Sequence, residues 1–219
     1  MWNNLKRRTY LKPRKAIGLS LLSALVCAAS SDAYADSEVS NVPYVATDDY
    51  GRCFAHSIPD NFYGTDGRTD VYLVGDNRLL GDGLTPLHSY DWFAQQIYVA
   101  CNVSDGKGTV APIVVQVGPW PRGHAPNDET LAIAFHYNGE TLAEYSTLDI
   151  ADGDPANASC SVSHYTVIEK IEGFSGLYGE VARFTVTTVD GRRLSFDVTS
   201  GALIKTEKAR PAKMRGQCR

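Results

Sequence analysis

The stretch Gly118-Pro-Trp-Pro-Arg-Gly-His-Ala-Pro-Asn127 holds the most unusual local chemistry in the chain. Its three prolines restrict φ, Trp120 stands between two of them, and Arg122 and His124 carry N–H donors. A stiff loop of this kind presents an aromatic anchor and polar contacts at low entropic cost, which suits ligand or partner binding. The same residues have a second meaning, in which Trp120 folds back to cap the core and the prolines end a strand. Large aromatic side chains are highly buried on average, and that weights the second meaning. Tyr90 and Trp92, with Phe93 beside them, carry the same two readings. Exposed together with Trp120, they would form one aromatic platform.

Patterns for metal binding or catalysis are weaker. Asp149, Asp152, Asp154 and Asn157 crowd into LDIADGDPANAS, a loop rich in the oxygen ligands that calcium takes. Their order is not that of an EF-hand, and Asp, Gly, Pro and Asn are also ordinary turn residues. Calcium is the only cofactor suggested. His56, His88, His124, His136 and His164 never stand at the i, i+2 or i, i+4 spacing of a local metal clamp. Gly173-Phe-Ser-Gly176 lacks the Gly-x-Ser-x-Gly elbow of a serine hydrolase. No Cys-x-x-Cys or Cys-x-x-His occurs, so a zinc–thiolate site is not indicated. Acidic residues are so numerous that no carboxylate pair stands out as a glycosidase pair. These patterns favour a non-catalytic binding or accessory module. The alternatives are a hydrolase whose carboxylates or histidines only folding assembles, and a calcium-stabilised structural protein.

The first 35 residues read as a cleaved export signal. Lys6, Arg7, Arg8, Lys12, Arg14 and Lys15 form a basic head, and an apolar run from Ala16 to Ala29 follows. That run is too short to cross a bilayer, which takes about 20 apolar residues. Ala33-Tyr34-Ala35 then matches the pattern a signal peptidase reads, with cleavage after Ala35. Arg7-Arg8-Thr9-Tyr10-Leu11-Lys12 resembles the twin-arginine export signal, which implies a route that carries folded cargo; the general secretion route is the alternative. The expected location is periplasmic or secreted, with no transmembrane segment after cleavage.

Charge divides the remainder. Residues 36–204 hold nine bases and 23 acids, a net of −14, whereas Lys205 to Arg219 hold six bases and one acid, a net of +5. An acidic body repels phosphate backbones, which excludes nucleic acid as a partner and leaves a periplasmic protein or a small ligand. The division predicts a β domain over 36–204 and a basic C-terminal tail over 205–219. Four cysteines remain beyond the signal. In an oxidising compartment they imply two disulfides, for which three pairings exist. The preferred one is Cys53–Cys101, both in strand-like segments, with Cys160–Cys218 pinning the tail.

The elements that must position these residues are strands. Short runs of Val, Ile, Thr, Tyr and Phe alternate with turn residues, and helical periods are scarce. In Ala182 to Val198, a three-residue turn of Val189, Asp190 and Gly191 pairs Phe184 with Phe196 and Val186 with Leu194. Arg183–Asp197 and Thr185–Ser195 then share the other face. The stretch from Asp190 to Ile204 also resembles a blade segment of quinoprotein-type β-propellers; the likeness covers 15 residues once and implies a hairpin. Leu131 to Tyr145, with a Tyr137-Asn138-Gly139 turn, puts Leu131, Ile133, Phe135, Ala143 and Tyr145 on one face. His136 is then expected opposite Glu140 and exposed.

Further strands are expected at Arg52–Ile58, Asp70–Gly75, Arg78–Leu80, Gln96–Asn102, Ala111–Gly118 and Val162–Lys170. A tight turn is expected at Asp76-Asn77 and a helical turn over Tyr90–Gln96. The predicted fold is all-β, a single antiparallel sandwich or partly closed barrel built from hairpins, with little helix outside the signal.

Overall fold

A computed structural model describes residues 38–74, 85–177, 181–209 and 218. They form an all-β structure of four antiparallel sheets, none closed into a barrel. The first sheet is a meander of β1 (Tyr44–Thr47), β2 (Cys53–Pro59), β3 (Gly67–Leu73) and β4 (His88–Tyr90). The second contains β5 (Ile97–Ser104), β6 (Val110–Val117), β7 (Leu131–Tyr137) and β8 (Glu140–Ser146). One helical turn, α1 (Thr147–Ile150), and a 3-10 turn at Pro155–Asn157 lead to a small ribbon of β9 (Ser159–Cys160) and β10 (Tyr165–Thr166). The third large sheet is again a meander: β11 (Ile168–Ser175), β12 (Arg183–Thr188), β13 (Arg192–Asp197) and β14 (Leu203–Lys208).

The second sheet is buried on both faces. Ile113, Val115, Ile133 and Phe135 join Phe184, Val186, Leu194 and Phe196 of the third sheet in one core. From the opposite face, Ile97, Val99, Cys101 and Val114 join Cys53, Ala55 and Val71 of the first sheet in another. Three sheets therefore stack, with the second in the middle. Burying each Val, Ile, Leu or Phe fully is worth roughly 1.5–3 kcal/mol, so two such layers hold sheets whose edges stay open.

Both expected disulfides are present. Cys53–Cys101 ties β2 to β5 and so links the first two sheets, and Cys160–Cys218 ties β9 to the C-terminal segment. Among the described residues, no helix is long and apolar enough to cross a membrane.

The β12–β13 hairpin has the register expected from its alternation: Arg183 faces Asp197, Phe184 faces Phe196, Thr185 faces Ser195 and Val186 faces Leu194. Gly191 closes the turn at φ +90°. The β7–β8 hairpin differs in its turn. Asn138 and Gly139 alone form it, at φ 53° and 85°, as a two-residue turn with positive φ requires. Tyr137 thus pairs with Glu140 and His136 with Thr141. A register shift between Phe135 and His136 then pairs Phe135 with Ala143 and Ile133 with Tyr145, which restores the expected apolar face.

Several other expectations need correction. His136 is not exposed: it is 1% accessible, because the first sheet covers the polar-looking face of β7. Tyr90 to Gln96 forms no helical turn, since Tyr90 ends β4 and the chain runs on irregularly to β5. The segment Val162–Lys170 is divided between β10 and β11. The charge boundary at Lys205 falls inside β14, whose residues Lys205–Lys208 pair with β13. Arg78–Leu80 and the Asp76-Asn77 turn lie outside the described residues.

Candidate functional site: an aromatic cleft

Tyr90, the last residue of β4, and Trp92 just beyond it stack their rings, centroids 5.3 Å apart. Each lies 5.0 Å from the ring of His136 on β7. His136 Nδ1 is 3.0 Å from Thr141 Oγ1 and Nε2 is 3.3 Å from Gln116 Oε1. An amide oxygen only accepts, so Nε2 carries the ring hydrogen and the Thr141 hydroxyl donates to Nδ1. Burial disfavours the charged imidazolium and pushes His136 down to about 4. Burial likewise pushes the Tyr90 phenol up to about 12, against a lowering hydrogen bond at the Gly139 backbone.

His88, at the start of β4, is also pushed down by burial. A Cβ at Gly139 would lie 2.6 Å from His88 Nδ1, so the turn needs glycine for space as well as for φ. Among the described residues, His88 Nε2 and Trp92 Nε1 are the buried side-chain polar atoms without a hydrogen-bond partner.

The proline-rich segment leaves β6 through Gly118, whose N–H donates to Ala132 O at 2.9 Å. A Cβ there would fall 1.8 Å from Leu131 O, so only glycine permits the close approach. The segment is then clamped to the β9–β10 ribbon. Tyr165 N–H donates to Pro121 O at 3.2 Å, Gly123 N–H donates to Ser163 O at 3.0 Å, and Arg122 bridges to His164. Trp120 packs its ring 4.2 Å from that of His164 and remains half-buried. Arg122 Nε donates to Glu38 Oε2 at 2.7 Å, and its guanidinium carbon lies 5.4 Å from the Tyr63 ring centroid.

These placements enclose a cleft of about 510 Å³. Trp92 lines it from the β4–β5 connection, Tyr63 from the β2–β3 loop, and Trp120 and Arg122 from the proline-rich loop. Gln116 and Glu144 contribute from the second sheet, on the face that carries His136: both register with Ala134, whose small side chain lies between them. Glu38, Glu129 and Thr130 complete the polar lining. Pro119 and Leu131 are shared with a second cleft of about 410 Å³, lined by Tyr98, Val167, Ile168 and Ile171. The chain matches no family model, no curated protein and no solved structure.

Of the binding residues expected from sequence, the fold brings Trp92, Trp120 and Arg122 together. It keeps Tyr90 behind Trp92 in the stack on His136, and leaves His124 exposed outside the cleft. Trp120 packs on His164 and lines the cleft; it is not among the side chains packed against either core, where the capping role would have placed it. Gln116, Glu144, Glu129 and Tyr63 did not stand out in the sequence. Gln116 had one legible signal, a lone amide inside the apolar run of β6.

Three of the four residues considered for calcium, Asp149, Asp154 and Asn157, bond their side chains to backbone groups. Asp149 closes a capping box on α1, accepting from Ser146 N and Oγ at 2.8 Å each. Asp154 accepts from Ala156 N, and Asn157 Nδ2 donates to Ala151 O, both at 2.9 Å. Asp152 is 3.8 Å from Arg192 Nη1 and largely exposed. Among the described residues, the one group of metal-ligating side chains drawn together is Asp48, Cys53 and Cys101. Its sulfurs form the disulfide, and the Asp48 carboxylate accepts from Arg52 N and Nε.

Proposed function

We propose that the protein is an exported, periplasmic binding or accessory module whose Trp92–Trp120 cleft takes a small ligand or a short segment of a partner. One observation carries this reading: the two tryptophans outside the signal region line a single cleft, one wall of which is a proline-stiffened loop clamped at both Pro121 and Gly123. A prepared concave site with large aromatic surfaces and a few polar groups is the usual form of a ligand pocket. Loop rigidity lowers the ordering cost of binding. The hydrolase reading is less well supported, because both nitrogens of the buried His136 are already engaged and it lies behind Trp92. A general base needs a nitrogen within reach of substrate.

The test is intact mass of the protein from a periplasmic fraction, native and then denatured. The expected chain begins at Asp36, is lighter by about four protons than its reduced form, and carries extra mass only when native. Trp120→Ala should release that mass. Retention of the bound species by Trp120→Ala, with the fold intact, would rule out this cleft as the site.

A further inference from the structure

The cleft already holds one organic cation, its own. Arg122 donates to Glu38 through both Nε and Nη2, and its guanidinium lies beside the Tyr63 ring. The Glu38 side chain is 11% exposed while that of Arg122 is 65% exposed, so the carboxylate is withdrawn from water and the cation is laid over it. One end of the cleft is thus a cradle of carboxylate and ring, filled by a guanidinium. The rest repeats those ingredients without a cation. Trp92 and Trp120 supply larger rings, and Glu129 and Glu144 supply carboxylates with no ion-pair partner among the described residues.

We propose that the unfilled part of the cleft binds an organic cation, an alkylammonium or guanidinium group such as a basic side chain presents. The proposal rests on the cleft being a binding site and names its ligand class. The lining carries three glutamates against one arginine, so an anion meets net repulsion. A neutral polyol can stack on the indoles, but it leaves both free carboxylates uncompensated. A cation meets the negative ring faces and the carboxylates at once, and indole is the strongest aromatic partner for it. The acidic body, net −14 over residues 36–204, steers cations toward the site. A cleft of about 510 Å³ accepts an amino-acid-sized group with part of its backbone.

Arg122 also indicates how the probe should be chosen. The full chain carrying Trp2→Phe emits only from Trp92 and Trp120, so its fluorescence reports the cleft directly. It is titrated with N-acetyl-argininamide and with N-acetyl-citrullinamide, which has the same shape without the charge. The expected result is binding of the arginine compound at least about tenfold tighter, weakening as salt rises. Glu129→Gln with Glu144→Gln should erase most of that preference. Both glutamates are exposed, and the salt series on the otherwise unaltered chain stands even if that variant folds poorly. Equal binding of the two compounds, or a preference that survives the double substitution in a folded protein, overturns the cation assignment and leaves the cleft as a binding site. A titration by neutral maltotriose alone does the same. Emission that no probe alters, together with a native mass equal to the denatured mass, overturns the cleft as well.

Discussion

Lowering the pH should destabilise this protein through His136, and the size of the effect follows from its surroundings. The imidazole is 1% exposed and its folded value falls from 6.5 to about 4. The groups around it are Tyr90 and Trp92 from the β4 side, Val114 and Gln116 from β6 and Thr141 from β8; none is a carboxylate able to compensate a charge. Tyr90, pushed up to about 12, stays neutral throughout the acid range. Because the folded value is depressed, the contribution is complete above about 6.5, where both states are neutral. It is lost as pH falls toward 4, where the unfolded chain binds a proton that the folded one refuses. At about 1.4 kcal/mol per pH unit, the gap amounts to roughly 3 kcal/mol. His88, also depressed by burial, acts in the same direction. The assay is urea unfolding of the unaltered chain and of His136→Gln at about pH 7.5 and about pH 4.5. The unaltered chain should lose about 2–3 kcal/mol more than the variant over that interval. Equal losses would show that His136 titrates normally and that the stack on Tyr90 and Trp92 does not exclude water from it.

Three further outcomes are expected. Gly118→Ala forces a methyl to within 1.8 Å of Leu131 O and should lower stability by roughly 2–4 kcal/mol while shifting Trp120 emission; a change within about 0.5 kcal/mol would show that the loop can leave β6 by another path. Replacing Cys53 and Cys101 by serine opens a 48-residue loop and should cost about 4 kcal/mol on the loop-closure scale, read as a lower urea midpoint. Asp149→Ala removes the α1 capping box and should cost about 1 kcal/mol, whereas a chelator should leave the melting midpoint of the unaltered chain where it was; a chelator-sensitive midpoint would instead assign those oxygens to an ion.

The legible parts of this fold are those fixed by neighbours in sequence. The β12–β13 register followed from Phe184, Val186, Leu194 and Phe196, since a one-residue slip would turn all four to the opposite face. The β7–β8 faces were likewise legible from Ile133, Phe135, Ala143 and Tyr145, although Asn138-Gly139 made a shorter turn and a bulge restored the alternation. The capping roles of Asp149 and Asp154 were less visible, because the same short polar side chains serve turns, caps and cations.

The sequence by itself determined the strand content, the main hairpin and its inward face, and a cysteine set matched by two disulfides. Those features depend on period-two patterning and on chemistry that each segment carries alone. Only the tertiary structure decided that the second sheet is covered on both sides. A polar residue in an alternating strand, such as His136 in β7, is expected to face solvent. The first sheet lies over that face and encloses His136 with Tyr90, Trp92 and Gln116. The cleft has the same origin. Trp92, Gln116, Trp120 and Glu144 belong to segments that local pattern cannot bring together. They meet because the first sheet stacks on the second, and because Gly118 and the ribbon hold the proline-rich loop beside that junction.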